Sequence, residues 1–271
     1  MKSLTNFLSE ALMTFGRSAY PKFGNVVILA GGAGSGKGFQ KENLLGIEGV
    51  NLDVDAIKEL AVRAPKFGAR VKEETGRDLS AFNMKDPKDV SKLHYILNDV
   101  YKTSDKRNDA LFSSILAANA ERKPNLIFDV TMKDMSKLVS IATAVEDLGY
   151  KKENIHIVWV VNEVSIALEQ NKNRSRTVPE EILFATHQGA ALTMKRVLDM
   201  GDNLTQYMDG AIYISFNKIH VDVQTARSGK KGSYIKTANY VQAKKPGQPQ
   251  IPSSQLSAAV TEKIKSYVPI W

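Results

Sequence analysis

The sequence has no cysteine among its 271 residues. Disulfide frameworks and thiolate metal sites are therefore excluded, and the composition fits a reducing compartment without proving one. No apolar run approaches the roughly 18–20 residues that a membrane-spanning helix needs, so no membrane partner is expected. Asn6, Ser9 and Glu10 make the first residues too polar for the core of a secretory signal peptide. These absences together predict a cytoplasmic protein.

The rest of the composition is that of an ordinary globular protein with an excess of positive charge. It is 43% hydrophobic and 24% charged, and it is long enough for one large α/β core or two small ones. The formal net charge is +8 and the pI is about 9.4. Such a charge suits a polyanionic partner, although its distribution matters more than its sum.

The most informative stretch runs from residue 25 to residue 38. An unbroken apolar run at 26–30 predicts a strand buried on both faces. It is followed by Gly31-x-x-x-x-Gly36-Lys37, the spacing of a P-loop, in which glycines let backbone N–H groups turn toward phosphates. The alternative is a glycine-rich turn that binds nothing. The predicted phosphate-binding residues are Gly31, Gly32, Ala33, Gly34, Ser35, Gly36, Lys37 and Gly38.

Gly38 departs from the P-loop pattern. The residue after the lysine is normally Ser or Thr, whose hydroxyl binds Mg²⁺. Because glycine supplies no hydroxyl, we expect the metal to depend on carboxylates and water. Asp53 and Asp129, each at the end of a predicted strand, are the candidate metal ligands.

The order of the predicted elements indicates an α/β fold. Strands are predicted at 26–30, 49–55, 125–131, 155–161 and 211–216. Helices are predicted from the P-loop to about 46 and at 56–63, 86–101, 105–122, 135–148, 164–173 and 179–198, with an irregular, partly helical insertion over 64–88. This alternation predicts a five-stranded, mainly parallel sheet with helices on both faces.

Polar residues follow several of these strands at the edge where ligands bind in such sheets. Asp55 is our first candidate for a general base that takes a proton from a substrate hydroxyl. Asp53 lies two positions earlier and faces the same side, and Thr131 at the end of the third strand is a candidate substrate contact. Helix capping by Asp55 or Asp129 remains the alternative.

Two arginines follow the fourth strand and its helix. Arg174 and Arg176 precede Val178-Pro179, in a turn between predicted helices. They could close as a lid on a transferring phosphate and stabilise its charge. The alternative is that both are solvent-exposed helix-end arginines, which the helix dipole favours.

These pieces together resemble the zeta-toxin and polynucleotide-kinase-like branch of P-loop kinases. The matching segments are GGAGSGK, LDVDAIK, IFDVT and the run from LGYKKENIH to RTVPEEIL, so the resemblance covers about 25–198. It implies a P-loop kinase fold that uses ATP or GTP with Mg²⁺. It further implies Lys37 on the β- and γ-phosphates, Asp55 as the base, and Arg174 and Arg176 as lid arginines.

Two further residues are candidates for substrate contact. The branch often has an arginine shortly after the base, whereas the third residue after Asp55 is Lys58, which could substitute as a point charge. His187 follows the predicted lid on the next helix and could reach the site. The four histidines of the chain lack metal-ligand spacing with one another.

The last fifty residues have a different character. Residues 226–252 contain six basic residues and no acid: Arg227, Lys230, Lys231, Lys236, Lys244 and Lys245. Their glycines and prolines predict an extended, mobile segment, followed by a docked helix at 254–268. The segment is interpreted either as a solvated basic linker or as an arm that contacts nucleic acid, with Tyr234 and Tyr240 stacking on bases.

The first twelve residues predict a short amphipathic helix, either docked on the domain or removed. The segment resembles the capsid-targeting propeptides of T-even-type phages, with Leu8-Ser9-Glu10 as the protease site and cleavage before Ala11. That resemblance implies a phage-encoded protein in the host cytoplasm, with packaging in the capsid as an alternative. The chain is thus divided into 1–20, a kinase domain at 21–220 and a basic tail at 221–271.

The leading functional hypothesis is an ATP-dependent kinase that transfers the γ-phosphate to a hydroxyl. The acceptor is either nucleic acid, at a 5′-hydroxyl or a modified base, or a nucleotide-type small molecule. A nucleotide-binding phage protein without catalysis, associated with the capsid or DNA, is the alternative. A nucleotide-sugar kinase of the zeta-toxin kind is a further alternative.

Overall fold

The computed structural model describes residues 12–15, 20–53, 65–173, 177–218, 220–227, 233–249 and 251–268. Four predicted site residues lie outside these ranges: Asp55, Lys58, Arg174 and Arg176. So do the predicted helix at 56–63 and residues 1–11 with the predicted cleavage site. Within the described ranges, no helix has both the length and the apolar character to cross a bilayer.

A seven-stranded sheet forms the centre of the described structure. Its strands are β1 (Val26–Ala30), β2 (Val50–Asp53), β3 (Leu126–Val130), β4 (Ile155–Val161), β5 (Ile212–Phe216), β6 (Val223–Arg227) and β7 (Ser233–Lys244). The order is β2-β3-β1-β4-β5-β7-β6, with parallel pairing from β2 to β5 and antiparallel pairing of β7 with both β5 and β6. The predicted mainly parallel α/β fold is therefore confirmed, but with seven strands in place of five.

The helices lie close to the predicted positions. They are α1 (Lys37–Asn43), α2 (Pro65–Thr75), α3 (Pro87–His94), α4 (Thr103–Leu116), α5 (Met135–Asp147), α6 (Val164–Asn173), α7 (Glu180–Asp199) and α8 (Ala258–Tyr267). A π-helix at Tyr95–Val100 continues α3, and short 3₁₀ helices lie at Leu79–Ala81, Ala120–Arg122, Lys152–Asn154, Gly201–Gln206 and Ser253–Gln255. The predicted helix at 86–101 is thus one continuous helix whose hydrogen bonding changes from the α to the π pattern after His94.

Strands β1 and β4 lie at the centre of the sheet. Every one of their residues is buried, so both faces of each strand are covered. Alternate residues of β1 point into two different hydrophobic clusters, as the pleat of a strand requires. Met13 and Phe15 fill part of the cluster around Val27 and Leu29, and both are fully buried. The chain therefore contributes to the core before it reaches β1.

Helices α2 and α3 and the π-helix, inserted between β2 and β3, have a small core of their own. It is built from Val71, Leu79, Leu93, Ile96, Leu97 and Tyr101. Phe67 packs edge-on against Tyr101, with 5.5 Å between ring centroids. The partly helical insertion predicted over 64–88 is therefore confirmed, with helix at Pro65–Thr75 and mostly irregular backbone from there to α3.

Two strands lie where the sequence predicted an extended, mobile tail, and that prediction is wrong. β7 pairs with β5 over Ile212–Phe216, so the sheet continues past residue 220. Tyr240 packs edge-on against Tyr213 at 5.8 Å, and Lys244 is buried in an ion pair of 2.7 Å with Asp209. The missed signal is the strand propensity of the β-branched and aromatic residues between 234 and 241, which the lysines and flanking glycines obscured.

The predicted C-terminal helix is confirmed as α8, which docks on the sheet. Ile264 and Tyr267 are buried in the main core, where Tyr267 packs against Phe216. The Tyr267 hydroxyl donates to Asp222 Oδ2 at 2.7 Å, and Lys263 forms an ion pair with the other oxygen of that buried carboxylate. Contact of 226–252 with nucleic acid stays a prediction. Two residues of that segment, Tyr240 and Lys244, are already engaged in packing within the protein.

Candidate active site

The P-loop turns from the end of β1 into α1 through backbone that requires glycine. Gly36 has a φ of +94°, and a Cβ there would lie 1.7 Å from Asn217 Nδ2. At Gly32 a Cβ would lie 2.2 Å from Cδ2 of His187. Two of the predicted loop glycines are therefore required by close neighbours, and both neighbours come from distant parts of the chain.

Gly38 stands in a different environment from these two glycines. It lies in the first turn of α1, and a Cβ there would meet no atom within 4 Å. The packing therefore leaves room for the hydroxyl residue that P-loops usually carry at this position. The absence of that hydroxyl is a property of the sequence and is not imposed by the fold.

Donors within the protein hold the carbonyl oxygens of the loop. Lys37 Nζ donates to the carbonyl oxygens of Gly31 at 2.8 Å and Gly32 at 3.2 Å. Asn217 Nδ2 donates to the carbonyl oxygen of Ser35 at 3.0 Å. A loop that binds anions must keep carbonyl oxygens away from the ligand and leave N–H groups available, and these bonds favour that arrangement.

The side chain of Asn217 belongs to a buried polar chain beneath the loop. Gln40 Nε2 donates to Asn217 Oδ1 at 3.1 Å, and Ser215 Oγ donates to Gln40 Oε1 at 3.0 Å. All three side chains are buried. The chain connects the start of α1 to the end of β5, and the P-loop spacing gives no signal of it because the residues are far apart in sequence.

Lys37 also lies next to the predicted metal ligands. Its Nζ is 3.7 Å from Asp129 Oδ1, and both side chains are largely buried. Asp129 is the register partner of Asp53 on the adjacent parallel strand. Since paired strands lie about 5 Å apart, the two carboxyl groups are neighbours at one edge of the sheet. The prediction that these strand ends converge on the P-loop is confirmed for both aspartates.

A cleft of about 650 Å³ opens above these residues. Its lining includes most of the predicted site residues within the described ranges: Ala33, Gly34, Ser35, Gly36, Lys37, Gly38, Asp53, Asp129 and Thr131. It also includes residues that the sequence did not single out, namely His94, Val130, Lys133, Asp134, Ser136, Lys137 and Gln170. Lysines and aspartates thus face the same cleft, as a site for a metal–phosphate complex requires.

His94 is the most distinctive of the unexpected lining residues. It ends α3, where the helix passes into the π-helix, and Asn98 Nδ2 lies 2.9 Å from its Nδ1. π-helical segments often occur at functional sites. The inserted helical unit thereby contributes a side chain to the cleft, and no spacing in the sequence could have indicated this.

His187 lies behind the P-loop. Its Nε2 donates to the carbonyl oxygen of Ala33 at 2.8 Å, and only 5% of the residue is exposed. Burial lowers the pKa of His187; the hydrogen bond to Ala33 acts in the opposite direction, and the charge of Lys37 lowers the pKa further. The ring is therefore neutral near pH 7. A substrate contact by His187 stays a prediction.

The described residues contain no group of three or more His, Cys, Asp and Glu side chains that could hold a metal ion. Mg²⁺ is commonly bound by only one or two carboxylates, together with water and substrate phosphates. Asp53 and Asp129 lie beside the P-loop and fit this way of binding Mg²⁺. A metal at this place would therefore depend on a bound nucleotide for part of its coordination.

Comparisons with known proteins give structural matches only, since no family model and no curated protein matches the sequence. A chain from the crystal structure of AvrRxo1-ORF1:AvrRxo1-ORF2 with sulphate ions matches with a TM-score of 0.51 at 13% identity, over 89% of this chain and 63% of that chain. The structure of AvrRxo1-ORF1:-ORF2 with ATP matches with a TM-score of 0.48 at 13% identity, over 95% and 67%. The PezAT chromosomal toxin–antitoxin system of Streptococcus pneumoniae gives 0.41 at 14% identity, over 78% and 72%.

At these identities the likeness concerns the fold alone. This chain spans 63% of the length of the first matched structure. With the P-loop after β1 and the parallel order β2-β3-β1-β4-β5, the protein has the predicted α/β fold of the P-loop kinase type. The fold alone does not determine the activity, which depends on the residues of the site.

Proposed function

We propose that this protein is a P-loop phosphotransferase that moves the γ-phosphate of ATP to a hydroxyl of its substrate. The observation that carries the proposal is the position of Lys37, at the end of a P-loop and 3.7 Å from Asp129. Asp53 is the register partner of Asp129 and lines the same cleft. A phosphate-binding lysine beside two carboxylates is the arrangement that nucleoside triphosphate chemistry uses.

Each part of the site has a role in this proposal. The loop backbone binds the phosphates, and Lys37 exchanges its carbonyl partners for β- and γ-phosphate oxygens, where its charge stabilises the transition state. Asp53 and Asp129 would hold Mg²⁺, which neutralises charge on the triphosphate when bound.

The transfer step uses residues outside the described ranges. Asp55 accepts the hydroxyl proton while the hydroxyl oxygen forms a bond to the γ-phosphorus. The bond from that phosphorus to the β,γ-bridging oxygen breaks, and ADP leaves. Arg174 and Arg176 stabilise the charge on the transferring group. Lys58 and Thr131 are proposed to position the acceptor.

Binding of ATP without transfer is a second candidate, favoured by Gly38. No hydroxyl is present at the usual metal-binding position, although the surrounding space would accept one. Both candidates predict nucleotide binding, and they differ in turnover. The acceptor is proposed among three classes, which are nucleic acid with a free 5′-hydroxyl or modified base, a nucleotide-type small molecule, and a nucleotide sugar.

The test is transfer of labelled γ-phosphate from ATP with Mg²⁺ to a panel of these acceptors. Wild type is compared with Lys37→Ala and Asp129→Asn, and with Lys195→Ala as a control. Lys195 forms an exposed ion pair with Asp199 and does not line the cleft. We expect labelled product with wild type and Lys195→Ala, and a loss of at least about 100-fold in the other two. ATP binding without any product would support the second candidate, and no binding would contradict both.

A further inference from the structure

Both backbone polar groups of Ala33, in the middle of the P-loop, are bound by helix α7. The Ala33 N–H donates to Thr186 Oγ1 at 3.1 Å, and the Ala33 carbonyl oxygen accepts from His187 Nε2 at 2.8 Å. The Thr186 hydroxyl donates its own proton to the carbonyl oxygen of Leu183 at 2.8 Å, so a lone pair faces Ala33. The hydrogen-bonding roles of both side chains are therefore fixed, and the Ala33 N–H is engaged by Thr186, so the other N–H groups of the loop are left for the phosphates.

The packing at this contact is as specific as the hydrogen bonding. The His187 ring occupies the space beside Gly32, where a Cβ would lie 2.2 Å from Cδ2. Thr186 and His187 are both buried. The loop backbone therefore lies directly against α7. Two adjacent side chains of that helix can thus bind the peptide units before and after Ala33.

Phosphate binding affects the hydrogen bonds of Lys37 and His187 to the loop differently. Lys37 holds the carbonyl oxygens of Gly31 and Gly32, but it is needed on the nucleotide itself. His187 and Asn217 are uncharged donors behind the loop, and their bonds to carbonyl oxygens can persist. A carbonyl oxygen released toward the site would repel phosphate, whereas N–H groups attract it.

We propose that Thr186 and His187 are positioning residues that fix the two peptide units meeting at Ala33 and so preorganise the P-loop for the triphosphate. The inference rests on the proposed nucleotide site, but it concerns the loop before any nucleotide arrives. Neither side chain touches the reacting atoms. Their effect is on nucleotide affinity and on the conformational freedom of the loop.

The test uses pairs of variants that differ only in the hydrogen bond. His187→Gln keeps a donor near the position of Nε2, whereas His187→Leu removes it. Thr186→Ser keeps the hydroxyl, whereas Thr186→Val removes it. Thr193→Val is the matched control, because Thr193 is buried on the same helix seven residues, or about two turns, away.

Two measurements are made on each variant. Amide hydrogen exchange of the peptide spanning 31–36 is followed without nucleotide, and the dissociation constant for ATP with Mg²⁺ is measured by calorimetry. We expect faster exchange and about tenfold weaker binding in His187→Leu and Thr186→Val, since one lost hydrogen bond is worth about that factor. Wild-type values within about threefold are expected for His187→Gln, Thr186→Ser and Thr193→Val.

The inference is overturned if loop exchange in both His187→Leu and Thr186→Val equals that of wild type. It is also overturned if Thr193→Val changes exchange and affinity as much as they do, because the effect would then be general destabilisation. If His187→Leu does not fold, Thr186→Val and Thr186→Ser decide by the same criteria. If wild type binds no ATP, the proposed function fails, and the exchange data alone decide whether α7 positions the loop.

Discussion

Two alanine substitutions in the same loop, at Gly36 and Gly38, should have opposite effects. Alanine at the Gly36 φ of +94° costs about 1–2 kcal/mol. Its Cβ would lie 1.7 Å from Asn217 Nδ2, so that amide must move and lose its bonds to Ser35 and Gln40, at about 1 kcal/mol each. We therefore expect Gly36→Ala to lower the free energy of unfolding by about 3–4 kcal/mol.

Gly38→Ala is the matched control for that substitution. The residue lies in α1 with no atom near its missing Cβ, so alanine should raise the free energy of unfolding by about 0.5–1 kcal/mol through helix propensity. Urea unfolding without nucleotide measures both values, and calorimetry measures ATP binding. ATP binding is expected to be lost in Gly36→Ala and kept in Gly38→Ala. Equal stability and equal ATP affinity of the two variants would refute the reasoning.

The remaining predictions concern stability. Burial lowers the pKa of His156 to about 3, and the Ala211 N–H donates to its Nδ1, so the folded protein excludes a second ring proton. Since the unfolded pKa is about 6.5, the free energy of unfolding should fall by up to about 1.4 kcal/mol for each unit by which the pH is lowered from about 6 to about 3. Urea unfolding of His156→Gln over the same pH range should lack this contribution to the pH dependence. Lys244→Ala should cost about 3 kcal/mol in urea unfolding because it leaves Asp209 without its buried partner, whereas exposed Lys245→Ala should change stability by under about 0.5 kcal/mol. Equal effects of the two lysine substitutions would show that Lys244 is not part of the packed sheet.

The elements that the sequence predicts well are those whose signal is local. The apolar runs of β1, β3 and β4 and the glycine spacing after β1 each lie within about ten residues, and they predicted that Lys37 and Asp129 share one edge of the sheet. The tail was mispredicted because its charge and glycines outweighed the β-branched and aromatic residues of β7. Propensity is a weak guide where strand pairing decides the structure.

The support of the P-loop could not be predicted, since its partners are remote in sequence. Asn217, Thr186 and His187 each bind loop backbone more than 150 residues away. His94 reaches the cleft through the folding of the inserted helices, whose period changes at that residue. A motif identifies the groups that meet the phosphates, and tertiary packing determines which residues hold those groups in place.

The most direct test of the central claim is a crystal structure with a non-hydrolysable ATP analogue and Mg²⁺. The proposal predicts the triphosphate on the backbone of 34–38, Lys37 Nζ moved from the carbonyl oxygens of Gly31 and Gly32 to the phosphates, and Mg²⁺ held by Asp53 and Asp129. Asp55 should face the γ-phosphate across the space for the acceptor hydroxyl. An analogue bound away from the loop, with Lys37 still on its carbonyl partners, would contradict the account.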